Sequence, residues 1–261
     1  MTEKKIETTE MMDTKKLLDG IAQNSIYAKG VAAASLIYCC KLFQGEMVPG
    51  NVLELGPAEG LMTRLFYKDA NTFQKWAGGG KLYSAVEGSS IFAQALQEKY
   101  PQMDVHACLV EEYQPEIKYE NIILGHVLEH VKDPAEVLLL CREWLMDGGR
   151  IFAAVPNARS IHRQAAVKMG ILKSVYDFSE KDRRHGHKRV FDRDMFEELF
   201  EKAGLVAVKS GGYWLKPLSD RQIEECWSQD MIQAFLLLGE EYPDIAGESY
   251  IIAKKQDSDR T

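Results

Sequence analysis

The sequence predicts an α/β fold, a mostly parallel sheet with helices on both faces. Three observations predict it. Short apolar runs bounded by turn residues alternate with amphipathic stretches over most of the chain. One run, Asn51 to Leu55, passes straight into a glycine-containing turn and then a helix-forming segment. Another, Arg150 to Val155, follows an Asp147-Gly148-Gly149 stop that closes an amphipathic helix. The length of 261 residues and the 46% hydrophobic content suit one sizeable domain with an elaboration.

The elements follow in order. Residues 1–12 are polar and charged and read as a frayed terminus. From Asp13 to Phe43, Leu17, Leu18, Ile21, Ile26, Val31, Ala34, Leu36 and Ile37 recur at helical spacing, which predicts one or two helices broken near Gly30 and ended by Pro49-Gly50. Asn51–Leu55 is a buried strand and Leu61–Tyr67 a helix; Lys81–Val86 is the second strand and Ser89–Lys99 its helix. Met103–Cys108 and Asn121–Leu124 are the third and fourth strands. Pro134–Met146 is a helix capped by Asp133, and Arg150–Val155 is the fifth strand. Residues 157–190 break this rhythm with a short helical pattern, Ile161–Met169, and a charged run, Glu180–Arg189. Then Asp192 caps a helix through Ala203, Leu205–Ser210 is a strand, Ser219–Leu238 a helix, and Ser249–Ala253 the last strand. An insertion beyond a strand's carboxyl end is where lids and substrate loops sit.

Composition excludes several classes. The net charge of −7 argues against general nucleic-acid binding, which needs a basic face. No apolar run reaches the roughly 18 residues of a membrane helix, and Val31–Cys40 lies too far in for a signal peptide, so a cytoplasmic protein is expected. The five cysteines form no CxxC pair, so neither a disulfide framework nor a thiolate zinc site is indicated.

Chemistry concentrates at two acids. In Val52-Leu53-Glu54-Leu55-Gly56-Pro57-Ala58-Glu59-Gly60 the glycines allow a ligand to approach the backbone, but the spacing is not the GxGxxG that seats a pyrophosphate. Glu54, an acid inside an apolar strand, suits a cation such as an α-amino group. Glu87, ending the second strand before Gly88, can accept from both hydroxyls of a ribose. A ribose, an ammonium group and no pyrophosphate together describe S-adenosylmethionine.

With VLELGPAEG at 52–60, SAVEGS at 84–89, NIILGHVLEHVKDPAEVL at 121–138 and LMDGGRIFAAVPN at 145–157, in that order, the chain resembles the class I S-adenosylmethionine methyltransferases, in the broad group that contains the ubiquinone-biosynthesis O-methyltransferases. The resemblance implies a Rossmann-like, seven-stranded sheet whose last strand runs antiparallel, and methyl transfer by direct displacement. It implies cofactor contacts from Glu54, Gly56, Ala58, Gly60, Glu87, Gly88, Gly125 and His126. Ala58 stands where the family has its middle glycine. The acid that the family usually places near the adenine is missing, so Leu109 and Val110 are the expected adenine wall. Tyr27 in the leader is a further candidate to close over the cofactor. The implied organisation is a helical leader or cap at 1–48, a binding core at 49–156, an insertion or substrate lid at 157–190, the rest of the core at 191–255 and a polar tail at 256–261.

His126, Glu129 and His130 form HxxEH. Starting at a strand end, this is poor for a peptidase, but some relatives place a divalent metal at the matching positions, with His185 or His187 as a candidate fourth ligand. The insertion adds a run of net charge +4 from Lys181 to Arg189 in an acidic chain. Arg159, Arg163, Arg184 and His185 are candidates to clamp an anionic group of the acceptor, with Tyr213 lining its pocket. His162 and His187, with His126 nearest the methyl, are candidates to take a proton. The expected function is therefore methylation of O or N on a small anionic metabolite, such as a sugar phosphate, a nucleotide sugar or a secondary metabolite, by a monomer or homodimer. The alternatives are a metal-assisted catechol- or quinol-type O-methyltransferase and a non-catalytic adenosylmethionine-binding protein.

Overall fold

The structure, a computed structural model, describes residues 3–23 and 30–256. Two leader helices, α1 (Glu3–Ala22) and α2 (Gly30–Gln44), precede the sheet. Its strands are β1 (Val52–Leu55), β2 (Tyr83–Val86), β3 (Asp104–His106), β4 (Tyr119–Gly125), β5 (Leu145–Pro156), β6 (Leu205–Tyr213) and β7 (Glu248–Lys255). The connecting helices are α3 (Leu61–Phe66), α4 (Ala70–Ala77), α5 (Ser90–Lys99), α6 (Pro134–Trp144), α7 (Ile161–Lys168), α8 (Glu180–Arg184), α9 (Arg193–Lys202), α10 (Asp220–Cys226) and α11 (Gln229–Glu241). The seven-stranded sheet has the order β3-β2-β1-β4-β5-β7-β6. β7 is antiparallel to both neighbours, as the resemblance implied.

The sheet divides the core in two because alternate residues of a strand point to opposite faces. Val52, Ile123, Phe152 and Ala154 join one apolar cluster, with Phe43 and Cys39 of α2. Their neighbours Leu53, Leu55, Ile122, Leu124, Ile151 and Ala153 join the other, with Val137, Leu138 and Cys141 of α6. Helix starts follow local side chains. Asp133 Oδ1 accepts from the backbone N of Ala135 at 2.8 Å, with Pro134 at the first helical position. Asp192 Oδ1 accepts from Met195 N at 2.8 Å at the head of α9.

Several boundaries differ from expectation for identifiable reasons. α4 was not foreseen: Asp69 caps it, but only Phe73 and Ala77 are buried, too short a pattern to stand out. α6 stops at Trp144. The Asp147-Gly148-Gly149 stop lies inside β5, where the pairing with β4 shifts register between Tyr119 and Asn121 and Gly148 takes φ 79°. The predicted helix Ser219–Leu238 is two helices, because Ser228 caps a new start by accepting from Met231 N.

Leader and insertion meet over the carboxyl ends of the strands. Asp19 accepts from Ser89 Oγ at 2.7 Å and Ser90 Oγ at 3.0 Å, pinning α1 to the head of α5. Leu17 and Ile21 of α1 approach Gly186, just past α8. The insertion is held together by Arg163, whose Nε donates to Val175 O at 3.0 Å, Nη1 to Asp182 Oδ2 at 2.8 Å, and Nη2 to Asp177 O. Both partners of that ion pair are buried, so breaking it would strand a charge.

Candidate active site

β1 sits between β2 and β4, so the chain switches direction across the sheet there, and a crevice opens at the strands' carboxyl ends. A cavity of about 1130 Å³ occupies it. That volume exceeds the roughly 300–1,000 Å³ of ordinary ligand pockets, leaving room for a cofactor with a second molecule.

The turn after β1 forms one wall. Gly56, Ala58 and Gly60 all take left-handed backbone, with φ of 61°, 50° and 70°. A Cβ at Gly56 would lie 2.9 Å from Val127 Cγ2, and one at Gly60 2.7 Å from Leu96 Cδ2, so both positions need glycine on two grounds. Ala58 holds the same conformation with a side chain, at a cost of about 1 kcal/mol.

The two acids stand beside this turn. Glu87 is buried; its Oε2 accepts from Ala58 N at 2.8 Å and its Oε1 from Ser89 N at 2.8 Å. Each oxygen keeps a lone pair for a ligand hydroxyl. Burial raises the Glu87 carboxyl above its ordinary value, against these backbone donors. Glu54 is 2% exposed, and its Oε2 accepts from Thr63 Oγ1 and Tyr83 OH, each at 2.7 Å. Burial pushes its carboxyl up to about 7, against those two hydroxyls. A cation arriving beside it would hold it ionised. Leu109 and Val110, at a 3-10 turn (Val110–Glu112), line the same cavity, and Gly88 is flanked by Leu18 and Leu109.

The other end of the cavity is built from side chains. His126 follows Gly125 at the end of β4 with φ 60°. Its Nδ1 lies 3.5 Å from Glu129 Oε1 and 3.9 Å from Glu248 Oε2, while Tyr213 OH lies 3.4 Å from its Nε2. Burial works to lower the His126 pKa, but the two carboxylates outweigh it and the net shift is upward. Glu129 is 1% exposed, and neither of its oxygens receives a hydrogen bond. Burial opposes its ionisation, yet His126, His130 and His187 hold its carboxyl down to about 2. Burial lowers His130 to about 4, so its imidazole is neutral. Ligand atoms of Glu129, His130 and His187 lie within 4.8 Å of one another. His187 Nδ1 faces Asp182 Oδ1 at 3.2 Å. The basic run returns to this loop, with Lys188 N donating to Glu129 O at 2.8 Å and Arg189 Nη1 to Leu128 O at 2.9 Å.

The cavity therefore brings together Glu54, Gly56, Ala58, Glu87, Gly88, Leu109, Val110, Gly125, His126, Glu129, His130, His185 and His187. Other expected residues stand elsewhere. The Arg163 guanidinium is spent inside the insertion, as described above. Arg159 binds Asp192 at 3.1 Å and Asp194 at 3.4 Å in a separate surface depression. Arg184 is an exposed partner of Glu180 at 2.8 Å. His162 lies off the cavity wall, and burial with the Lys216 and Arg163 charges lowers its pKa to about 3, which makes it a poor base. Tyr213 is fully buried in the core, off the cavity wall, and meets the site at His126. Gly60 shapes the turn from behind. Tyr27 lies outside the described residues. Sequence reading missed Lys181 and Lys216, both on Asp220 at 2.6 and 2.5 Å, and Glu248 at the start of β7. Lys181 lay within the basic run but was not singled out.

Fold and cavity define a nucleoside-binding α/β enzyme core. The chain belongs to the methyltransferase-domain family, whose model matches residues 32–210. It is an S-adenosylmethionine-dependent methyltransferase. The match is to the domain as a whole, not to the ubiquinone-pathway branch. Three solved structures are similar in fold. One is an S-adenosylmethionine-dependent methyltransferase from Thermotoga maritima, described as a possible histamine N-methyltransferase (TM-score 0.64, 13% identity, 93% of this chain and 100% of that one). The second is the N-methyltransferase NodS from Bradyrhizobium japonicum with S-adenosylhomocysteine (0.58, 11%, 94% and 99%). The third is the 1,6-didemethyltoxoflavin-N1-methyltransferase of Burkholderia thailandensis with its acceptor and S-adenosylhomocysteine (0.56, 14%, 98% and 92%). No curated protein matches the chain in sequence. No helix among the described residues is long and apolar enough to cross a membrane.

Proposed function

We propose that this chain methylates a nitrogen or oxygen of a small metabolite seated between His126, Lys216 and Glu248. The observation that carries the reading is that one cavity runs from the Glu54 and Glu87 carboxylates to this ionisable cluster. The bound cofactor supplies a methyl group already activated on a sulfonium. Glu87 then holds the ribose hydroxyls, Glu54 faces the α-ammonium, and Leu109 and Val110 pack the adenine. His126 takes or shares the acceptor's proton, its ring positioned by Tyr213 and Glu129. Residues 157–190 and the leader act as a lid that excludes water and aligns the acceptor. An anionic group on the acceptor would meet Lys216 and Lys181 rather than the arginines, since these lysines face the cavity.

A second reading, metal-assisted O-methylation, is favoured by one observation. Glu129 has both oxygens unpartnered beside neutral His130 and beside His187. An imidazole oriented by Asp182 in this way is a usual metal ligand. A divalent ion held there would act as a Lewis acid toward an acceptor hydroxyl.

Calorimetric titration with S-adenosylhomocysteine, with and without a chelator, tests both readings. Micromolar binding that ignores the chelator is the expected result. Heat that changes with chelator would move the metal reading forward. A folded protein that binds nothing would overturn both.

A further inference from the structure

The acceptor end carries a charge pattern that specifies more than a small molecule. Two of its lysines share one carboxylate: Lys216 Nζ lies 2.5 Å from Asp220 Oδ1 and Lys181 Nζ 2.6 Å from Asp220 Oδ2. The carboxylates on either side of His126 have no such partner. Glu129 is 1% exposed and neither oxygen accepts a hydrogen bond; Glu248 Oε2 is buried and equally unmatched. His126 reaches them only at 3.5 and 3.9 Å, beyond a good hydrogen bond. Buried carboxylate oxygens left without donors cost stability, and a ligand that donates to them recovers it. No arginine lines the cavity among the described residues. An N–H donor that gains positive charge would meet its complement at these two carboxylates.

We infer that the acceptor is an amine, whose nitrogen is held by Glu248 and faces Glu129 across His126. This rests on the methyltransferase reading and adds the chemistry of the acceptor. The acceptor enters as an ammonium and passes one proton to His126; the neutral amine then donates a remaining N–H to Glu248 Oε2 and turns the freed lone pair toward the methyl carbon. The C–N bond forms as the C–S bond breaks, with the bonding pair left on sulfur. The positive charge passes from sulfur to nitrogen, and the product is an N-methylammonium that keeps its N–H proton and is paired with Glu248. Stabilisation that grows as charge develops on nitrogen favours the transition state over the bound amine.

The test offers S-adenosylmethionine carrying a 13C-methyl group with three separate pools of metabolite-sized compounds: primary and secondary amines, alcohols and phenols, and phosphate monoesters. Two-dimensional NMR separates N-methyl from O-methyl carbons. N-methyl signals from the amine pool alone are expected, and Glu248→Gln should lower them roughly 10- to 100-fold, the worth of a charge-assisted hydrogen bond. Binding of S-adenosylhomocysteine should stay unchanged in the variant, which also shows that it folds. O-methyl signals without N-methyl signals would overturn the inference. So would transfer abolished by a chelator, which would give Glu129 to a metal, or no transfer from any pool by a protein that binds S-adenosylhomocysteine. Failure to bind S-adenosylhomocysteine at all would strike the methyltransferase reading instead.

Discussion

The two ends of the cavity are built on different terms. At the end proposed for the cofactor, both acids accept hydrogen bonds before any ligand arrives: Glu87 from Ala58 N and Ser89 N, and Glu54 from Thr63 and Tyr83. The surface there is mostly backbone, fixed by left-handed residues whose conformation few side chains tolerate. At the acceptor end the surface is side chain, and the carboxylates of Glu129 and Glu248 keep buried oxygens with no donor. A preorganised end suits a ligand that never changes. An end that waits for donors suits the partner proposed above, and on that proposal part of the specificity would lie in the penalty of leaving those groups unmatched.

The contrast can be broken by substitution, and the largest effect falls at Glu87. Glu87→Ala removes the hydroxyl acceptor and strands Ala58 N, so affinity for S-adenosylhomocysteine should fall roughly 100-fold or more by calorimetry. Next comes His126→Gln, which should lower kcat about 100-fold with cofactor affinity kept, whereas His162→Gln should leave kcat within a few-fold. Equal losses in the two variants would return His162 to the reaction.

Glu54 gives a pH-dependent test. Its carboxyl is pushed up to about 7 by burial from an ordinary value of 4.5, so the folded state holds a proton that the unfolded state has lost between those values. Stability of the free protein should therefore fall as pH rises through that window, and no penalty should remain below it. Glu54→Gln should be more stable than the parent at pH 8 by on the order of 1–3 kcal/mol in urea unfolding, with the gain gone near pH 4. The smallest effect is at Ala58, where Ala58→Gly should raise stability by about 0.5 kcal/mol through release of left-handed strain. A loss there would mean that the methyl group packs better than its backbone suggests.

The same contrast governs what could be read in the sequence. Gly56, Gly60, Glu54 and Glu87 were legible because each is tied to a strand end by local rules of turn and burial, and those rules also placed the strands and the caps at Asp133 and Asp192. The acceptor end was legible only at His126, Glu129 and His130, which follow a strand directly. Arg163 and Arg184 misled because nearness along a charged run says nothing about direction, and one guanidinium turned inward to Asp182 while the other stayed in solvent. Lys216, Asp220 and Glu248 come together from a loop, a helix and the antiparallel strand, so no local spacing announces them. One signal did exist: an acid opening the last apolar strand, beside the end of β5.

The most direct measurement is a side-by-side titration of the parent, Glu87→Ala and Glu248→Gln with S-adenosylhomocysteine. Two separately built ends predict that the first variant loses binding and the second binds as the parent does. Equal loss in both variants, or full binding by Glu87→Ala, would contradict that division of the cavity.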